Sequence, residues 1–279
     1  MSERISINDA GIRSPMLRWS ELAAYRDFLS MLVWRELHLR YRHTLIGAGW
    51  SFLNPFLTML VFSLIVPNLV SRQTLAASTG GVPYAAYVYC GMAPWACFSH
   101  ALTRCNMSLV DQSALLRNMY FPRLALPLSC VLAALTELLI SLAALSVLMA
   151  VLRVPPSRNL ALLPLFFVPL IVASLGAGLI LAMVQVRYRD VFFLMQFGIQ
   201  LGLLVTPVWF PLSALHGPAR WVVALNPMTA VVQGFRWAVF GIDAPSPDVV
   251  AISGITTAAL LWVGLQYFRA RQETVADHV

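Results

Sequence analysis

The chain has 279 residues, of which 59% are hydrophobic and 11% charged, with a net charge of +7. A soluble domain carries about 25% charged residues, so this composition excludes a soluble globular enzyme and indicates an integral membrane protein. All nineteen basic residues are arginine, and without lysine the chain can form neither a Walker phosphate-binding loop nor a Schiff base with a cofactor.

In the N-terminal segment, residues 1–49, the first 30 residues are mixed polar and have no short apolar core followed by a small-residue cleavage site. We therefore expect it to remain in the cytoplasm. Within it, residues 21–43 place apolar side chains largely on one helical face and charged ones mostly elsewhere. This pattern predicts an amphipathic interface helix, which either anchors the chain to anionic lipid or has a functional role of its own.

Six runs are apolar and long enough to cross a bilayer, which takes about 20 residues in a helix. They are 50–70, 84–103, 124–152, 159–186, 191–219 and 249–268. The predicted fold class is therefore an all-α integral membrane protein, with a six-span domain over 50–268 and a cytoplasmic tail over 269–279.

A seventh apolar stretch, 221–235, is too short to span the membrane. Four prolines interrupt the chain around it, at positions 207, 211, 218 and 227. We expect two half-helices that re-enter the membrane from outside, within an external segment of about 210–242.

The arginine distribution predicts the orientation. With the N-terminus inside, thirteen arginines lie in cytoplasmic segments and five in external ones, while Arg104 stays unassigned near a helix end. Because cytoplasmic loops are enriched in arginine, both termini are predicted to be cytoplasmic.

Two further features concern the interior of the spans. Glu137 is the one acidic residue inside a predicted span, where a charge is costly unless it faces protein, water or a partner. It has either a functional role or a structural one, with Thr136 and Ser141 as neighbours for hydrogen bonding. The four cysteines lie among apolar residues without metal or redox spacing, so we predict buried side chains and no metal site.

Four motifs occur in the same order as in one family of membrane transporters. They are RYRHTLIGAGW at 40–50 with Asn54 and Pro55, RNMYFPRLALP at 117–127, RYRDV at 187–191, and NPMT at 226–229 followed by Arg236. Together they cover nearly the whole chain and resemble the ABC-transporter permeases that export bacterial polysaccharides, above all the O-antigen branch.

The resemblance implies a type-2 ABC exporter subunit in the bacterial inner membrane. Such a permease is a homodimer that binds two copies of a separate ATPase subunit and moves an undecaprenyl-diphosphate-linked glycan outward. ATP and Mg would be bound by that partner, with no cofactor in this chain and no nucleic acid involved. The missing Walker lysine agrees with a chain that takes its energy from a partner.

The stretch before the third span contains the candidates for coupling to the ATPase. They are Asp111, Arg117, Phe121, Pro122 and Arg123. Pro122 cannot lie inside a helix without removing a hydrogen bond, so it predicts a boundary between a short cytoplasmic helix and the third span. That helix could dock into an ATPase groove; the simpler interpretation is a plain connecting loop.

Two arginine groups are candidates for binding the diphosphate of the carrier lipid. They are Arg35, Arg40 and Arg42 with Gly47 at the interface helix, and Arg187 and Arg189 after the fourth span. Guanidinium groups bind phosphate oxygens in a bidentate manner, and glycine lets backbone amides approach an anion. The second group is also typical of a topology anchor, with Asp190 as a counter-charge.

The resemblance further implies a glycan channel and an external gate. Candidate channel aromatics are Tyr84, Tyr87, Trp95, Trp209 and Phe210, which otherwise form an ordinary aromatic belt at the headgroups. Candidate gate residues are Pro211, Asn226, Pro227 and Arg236.

Two alternatives remain open. The same architecture could carry another cargo, such as teichoic acid, capsule, a small lipid or a drug. A membrane transferase acting on lipid carriers would instead need convergent acid and base groups. We expect His100, Asp111, Glu137 and Asp190 at different depths, which disfavours such an enzyme.

Overall fold

The computed structural model describes residues 26–42, 47–112 and 121–271, and all regular elements within these ranges are helical. The helices are α1 (Arg26–Tyr41), α2 (Trp50–Leu69), α3 (Arg72–Ser78), α4 (Tyr84–Asp111), α5 (Ala125–Leu152), α6 (Phe167–Arg187), α7 (Val191–Val205), α8 (Pro218–Ala224), α9 (Pro227–Phe240) and α10 (Pro247–Arg271). Short 3-10 helices lie at Gly47–Gly49, Arg158–Phe166 and Leu212–Ala214.

Apolar helices dominate the described part of the chain. Four are long and apolar enough to cross a membrane: Trp50–Leu69, Ala125–Leu152, Arg158–Arg187 and Pro247–Arg271. The apolar helix α7 is shorter and leaves large side chains exposed, among them Phe193 and Leu194 at 71% and 69%. The protein is thus a multi-pass helical membrane protein, and its exposed apolar surface suits contact with lipid or with another chain.

Helix α4 is the central helix. It packs against α2, α5, α6, α7 and α9, and most of its residues are buried. Its 28 residues give a length of about 42 Å, enough to cross the hydrocarbon core of a bilayer. It is not among the four long apolar helices because it carries polar side chains, among them His100, Arg104 and Asn106. These side chains contact polar groups on neighbouring helices.

The fifth predicted span differs from the structure in length. The run 191–219 is not one helix, because α7 ends at Val205 and the chain then turns through Thr206 and Pro207. The segment that follows contains two helices, α8 and α9, within the range 210–242. The interface helix is described from Arg26 to Tyr41; the rest of the predicted range 21–43, apart from Arg42, lies outside the described residues.

Helices α6 and α10 cross at two glycines. A Cβ on Gly176 would lie 2.6 Å from the backbone nitrogen of Leu261, and a Cβ on Gly264 would meet the carbonyl oxygen of Gly176. No side chain fits between the two backbones. Small residues at such a crossing let membrane helices pack at the closest distance.

Candidate functional site

Helix α9 contains a fully buried arginine. Arg236 is 0% exposed, and its Nη1 donates hydrogen bonds to the Tyr87 hydroxyl and to the Pro207 carbonyl, both at 2.8 Å. Its Nη2 donates to the Val208 carbonyl at 2.6 Å, and its guanidinium carbon lies 3.6 Å from the centroid of the Tyr87 ring. We call Tyr87, Pro207, Val208, Arg236 and Asp243 the Arg236 cluster.

Asp243 supplies the counter-charge of the cluster. Its Oδ2 accepts a hydrogen bond from the Tyr87 hydroxyl at 2.8 Å and lies 3.8 Å from Nη1 of Arg236. A buried guanidinium is tolerated only when its charge is paired and its donors are bonded. The cluster therefore joins α4, α9 and the loop after α7 through one charge.

The residues around Arg236 provide space and hydrogen-bond acceptors for its guanidinium group. A Cβ on Gly91 would lie 2.9 Å from Nη2 of Arg236, so glycine at this point of α4 leaves the space that the guanidinium fills. The carbonyls of Pro207 and Val208 lie in the loop after α7, outside any helix. Arg236 donates to both from another helix and so satisfies these carbonyls of a buried loop.

The start of α9 is fixed by its first two residues. The side-chain oxygen of Asn226 accepts a hydrogen bond from the Met228 backbone amide at 3.0 Å, and Pro227 occupies the first turn. Asparagine before a helix and proline at its first position are both favourable. The Asn226 side-chain nitrogen also donates to the Thr206 hydroxyl at 2.7 Å. Two candidate gate residues, Asn226 and Arg236, thus connect α9 to the loop after α7. The other two are Pro227, which begins α9, and Pro211, which is buried in that loop.

The candidate channel aromatics are placed unequally. Tyr84, Tyr87 and Trp95 are buried inside the chain, at 8%, 0% and 4% exposed, and pack against its own helices. Trp209 and Phe210 are half-buried, and Trp209 stacks on Phe62 with the ring centroids 3.6 Å apart. In this conformation only the last two rings present a partly open surface.

The prediction that His100 and Glu137 lie at different depths is wrong. His100 Nδ1 of α4 lies 2.8 Å from Oε2 of Glu137 on α5, and Glu137 is 4% exposed. The packing of α4 against α5 places the two side chains opposite each other. The acid thus has a partner on α4 rather than only the neighbours Thr136 and Ser141.

A second polar contact lies one helical turn along α4. Nη1 of Arg104 is 4.0 Å from Oε2 of Glu36 on α1, and Gln112 donates to Oε1 of Glu36 at 2.9 Å. Burial raises the pKa of the Glu36 carboxyl above its ordinary value, although the positive charges of Arg104 and Arg35 act in the opposite direction. A narrow cleft is lined in part by Glu36, Arg104 and Glu137. We call Glu36, Arg104 and Gln112 the Glu36 cluster.

The coupling candidates lie at both ends of a stretch that the structure does not describe. Asp111 is exposed at the end of α4, and Phe121 is 8% exposed and lies with its ring centroid 5.1 Å from that of Phe28 on α1. The Pro122 carbonyl accepts a hydrogen bond from the Ala125 amide at 2.8 Å, so this proline leads into α5. Arg123 is half-buried, and Arg117 lies outside the described residues.

The arginines proposed to bind diphosphate lie in two places. Arg42 is exposed at the end of α1, Arg35 is half-buried within it, and the side chain of Arg40 is not described. Gly47 has a φ of +56°, a conformation that glycine adopts at no steric cost. Arg187, the last residue of α6, and Arg189, two residues later, are exposed, and the Arg187 guanidinium carbon lies 5.2 Å from the centroid of the Tyr188 ring.

Sequence reasoning did not single out Glu36, Arg104, Gln112 and Asp243. The sequence does contain a pattern that could have indicated the contacts of α4. His100 and Arg104 are four residues apart and therefore share a helical face in a mostly apolar run. Two basic groups on one face of a buried helix require acidic partners, which α1 and α5 supply. Asp243 carries no comparable signal.

Comparison with known proteins agrees with the sequence motifs. Residues 28–240 match the family model described as "ABC-2 type transporter". The chain is 30% identical over 261 residues to the O-antigen export system permease protein RfbA of Myxococcus xanthus, covering 93% of this chain and 98% of that protein. It is 24% identical over 252 residues to the Klebsiella pneumoniae protein of the same name, covering 90% and 94%.

The family assignment also confirms the prediction that the chain is a transport subunit without its own nucleotide-binding domain. The described helices, the motif order and the match over most of the chain lead to the same result. The chain belongs to the ABC-2 type transporter family and is a membrane permease.

Proposed function

We propose that the chain exports an O-antigen-like polysaccharide linked to undecaprenyl diphosphate, with energy from a separate ATPase subunit. The observation that supports this cargo is the 30% identity to a relative named as an O-antigen export permease, across 98% of that relative. The cargo alternatives of teichoic acid, capsule, small lipid or drug are outcomes of the test below. No observation favours a transferase. His100 and Glu137, which could act as base and acid, contact each other between α4 and α5, and Glu137 is buried there.

The experiment that tests this function uses purified permease with its ATPase partner in vesicles. Vesicles containing undecaprenyl-diphosphate-linked polysaccharide should show ATP-dependent movement of the polymer across the bilayer, and the polymer should raise ATP hydrolysis. Vesicles with lipid-linked teichoic acid or with a drug serve as the comparison. Stimulation by one of those alone would contradict the proposed cargo.

The proposed architecture has six spans, formed by α2, α4, α5, the segment Arg158–Arg187, α7 with the residues after it, and α10, in a homodimer in the bacterial inner membrane. Because the 15 residues of α7 are too few to span alone, the fifth crossing includes the buried non-helical residues that follow Val205. Residues 1–49 and 269–279 are cytoplasmic in this proposal, and the segment of about 210–242 re-enters the membrane from outside. The arginine distribution of thirteen to five supports the orientation.

Cysteine labelling tests the orientation. We expect Leu75→Cys to react with a membrane-impermeant maleimide from outside intact cells, and Asn118→Cys to react only after the cytoplasm is opened. The four native cysteines, Cys90, Cys97, Cys105 and Cys130, are all buried, so background labelling should be low. The reverse labelling at either position would overturn the topology.

We also propose that Arg35, Arg40 and Arg42, with the turn at Gly47, bind the diphosphate of the carrier lipid, and that Arg187 and Arg189 form the second candidate group. The position of Arg42 at the exposed end of α1 supports access to a lipid headgroup. Trp209 and Phe210 are the proposed sugar-stacking rings, since they are partly open, and the Pro211 to Arg236 region is the proposed gate.

Replacing Arg35, Arg40 and Arg42 together by lysine tests the headgroup site. The charge is kept but the planar donor pair is lost, so we expect normal membrane insertion with reduced binding of the lipid diphosphate and reduced export. Binding is measured with undecaprenyl diphosphate in nanodiscs. Arg269→Lys with Arg271→Lys, at the exposed end of α10, is the matched control. Full binding and export by the triple variant would make the helix a charge anchor.

A further inference from the structure

The interface helix α1 contacts both ends of the stretch that carries the coupling candidates. Glu36 accepts a hydrogen bond from Gln112, the last described residue before the stretch, at 2.9 Å. Phe28 packs on Phe121, the first described residue after it, with ring centroids 5.1 Å apart. Phe28 and Glu36 are eight residues apart, or about two helical turns, so one helix bridges the two ends.

Glu36 also connects α1 to the central helix. Its Oε2 lies 4.0 Å from Nη1 of Arg104 on α4, and 11% of its side chain is exposed. Helix α1 further packs along α5. A displacement of Gln112 and Phe121 would therefore be passed to α1 through these contacts, as well as along the chain into α4 and α5.

The burial and the hydrogen bond of Glu36 suit a contact that transmits movement between helices. A surface ion pair in water contributes little and can separate at low cost, whereas Glu36 is mostly buried and accepts a directed hydrogen bond. Leaving Gln112, which is 3% exposed, without this acceptor would strand a buried polar group. We therefore expect α1, α4 and α5 to move together.

We infer that Glu36 is a positioning residue that makes the interface helix move with the coupling region, so that nucleotide-driven motion reaches the lipid-facing surface of the permease. This inference rests on the proposed function for its cargo, but the movement itself does not depend on which polymer is exported. Glu36 acts without contacting the cargo or ATP. Its effect passes through Gln112 and Arg104.

The test uses the full permease with its ATPase partner in vesicles. An environment-sensitive dye on Ser30→Cys, an exposed position of α1, reports movement of the interface helix when ATP and vanadate are added. Polymer exported per ATP hydrolysed is measured in parallel with undecaprenyl-diphosphate-linked polysaccharide. We expect a dye response in the parent protein, and in Glu36→Ala a loss of that response with a roughly fivefold lower export per ATP, the size expected when one hydrogen bond is lost.

Two further variants keep the result interpretable. Glu36→Gln retains an acceptor for Gln112 but not the charge facing Arg104, so it should keep part of the response, whereas Gln112→Leu should reproduce the loss. Asp27→Ala is the matched control on the same helix, since this carboxylate is 94% exposed and pairs only with Arg26 within the described residues. It should behave as the parent protein does.

The outcomes separate the two proposals. If Glu36→Ala and Gln112→Leu assemble but keep the full dye response and the full export per ATP, the inference is overturned. A variant that only lowers the amount of assembled complex would reduce export and hydrolysis together, leaving their ratio unchanged, which also counts against it. If the parent protein shows the dye response but no export of the polymer, the proposed cargo fails while the movement stands.

Discussion

Replacing Arg236 by methionine should lower the thermal midpoint of the purified permease by roughly 10 °C. The substitution removes the donors to the Pro207 and Val208 carbonyls and leaves Asp243, which is 17% exposed, without the buried counter-charge of Arg236. Breaking one side of a buried charge pair costs about 3–5 kcal/mol, and in a protein of this size about 1 kcal/mol corresponds to roughly 2–4 °C. The measurement is the temperature at which the detergent-solubilised protein loses its monodisperse elution peak.

Two variants test whether geometry or charge is responsible. Arg236→Lys keeps the charge but cannot reach Tyr87 and both carbonyls at once, so we expect an intermediate loss. Arg220→Met is the matched control at the same end of the molecule, because Arg220 is 38% exposed and pairs with an equally accessible Asp248. An Arg236→Met variant as stable as the control would show that the Arg236 cluster does not stabilise the packing of α9 against α4 and the loop after α7.

Replacing Gly264 by leucine should separate α6 from α10. The first added carbon already meets the Gly176 backbone, so the two helices must move apart before the rest of the side chain is accommodated. Overpacking a well-packed contact costs about 1–3 kcal/mol and at times more, and here the obstacle is backbone rather than a flexible side chain. We expect a lower thermal midpoint and less permease in the membrane, measured by the same elution assay.

The same helix offers a control for this substitution. Gly254 lies on α10 with no atom within 4 Å of an added Cβ, so Gly254→Leu should be tolerated. Gly176→Ala combined with Gly264→Ala should cost less than the sum of the single changes, because either one already moves the helices apart. Equal stability of Gly264→Leu and Gly254→Leu would contradict close packing of α6 on α10.

Much of the fold could be read from the sequence because bilayer thickness and backbone hydrogen bonding restrict a membrane chain to long apolar helices. The apolar runs at 50–70, 124–152, 159–186 and 249–268 correspond to the helical segments long enough to span. The apolar run 191–219 continues past the end of α7, so hydrophobicity alone does not indicate that this helix ends at Val205. The loop that follows Val205 is instead held by hydrogen bonds from Arg236, which lies on a helix later in the chain.

The sequence by itself determined the class of protein, its family and its dependence on a partner for energy, because composition, missing lysine and motif order are local or additive properties. Tertiary structure alone decided which polar groups meet: Arg236 with Tyr87 at a separation of 149 residues, Glu36 with Gln112 at 76, and His100 with Glu137 at 37. A charge in an apolar helix requires a partner, but many residues could supply one. The rotation and depth at which the helices pack select the partner, and no local pattern encodes them.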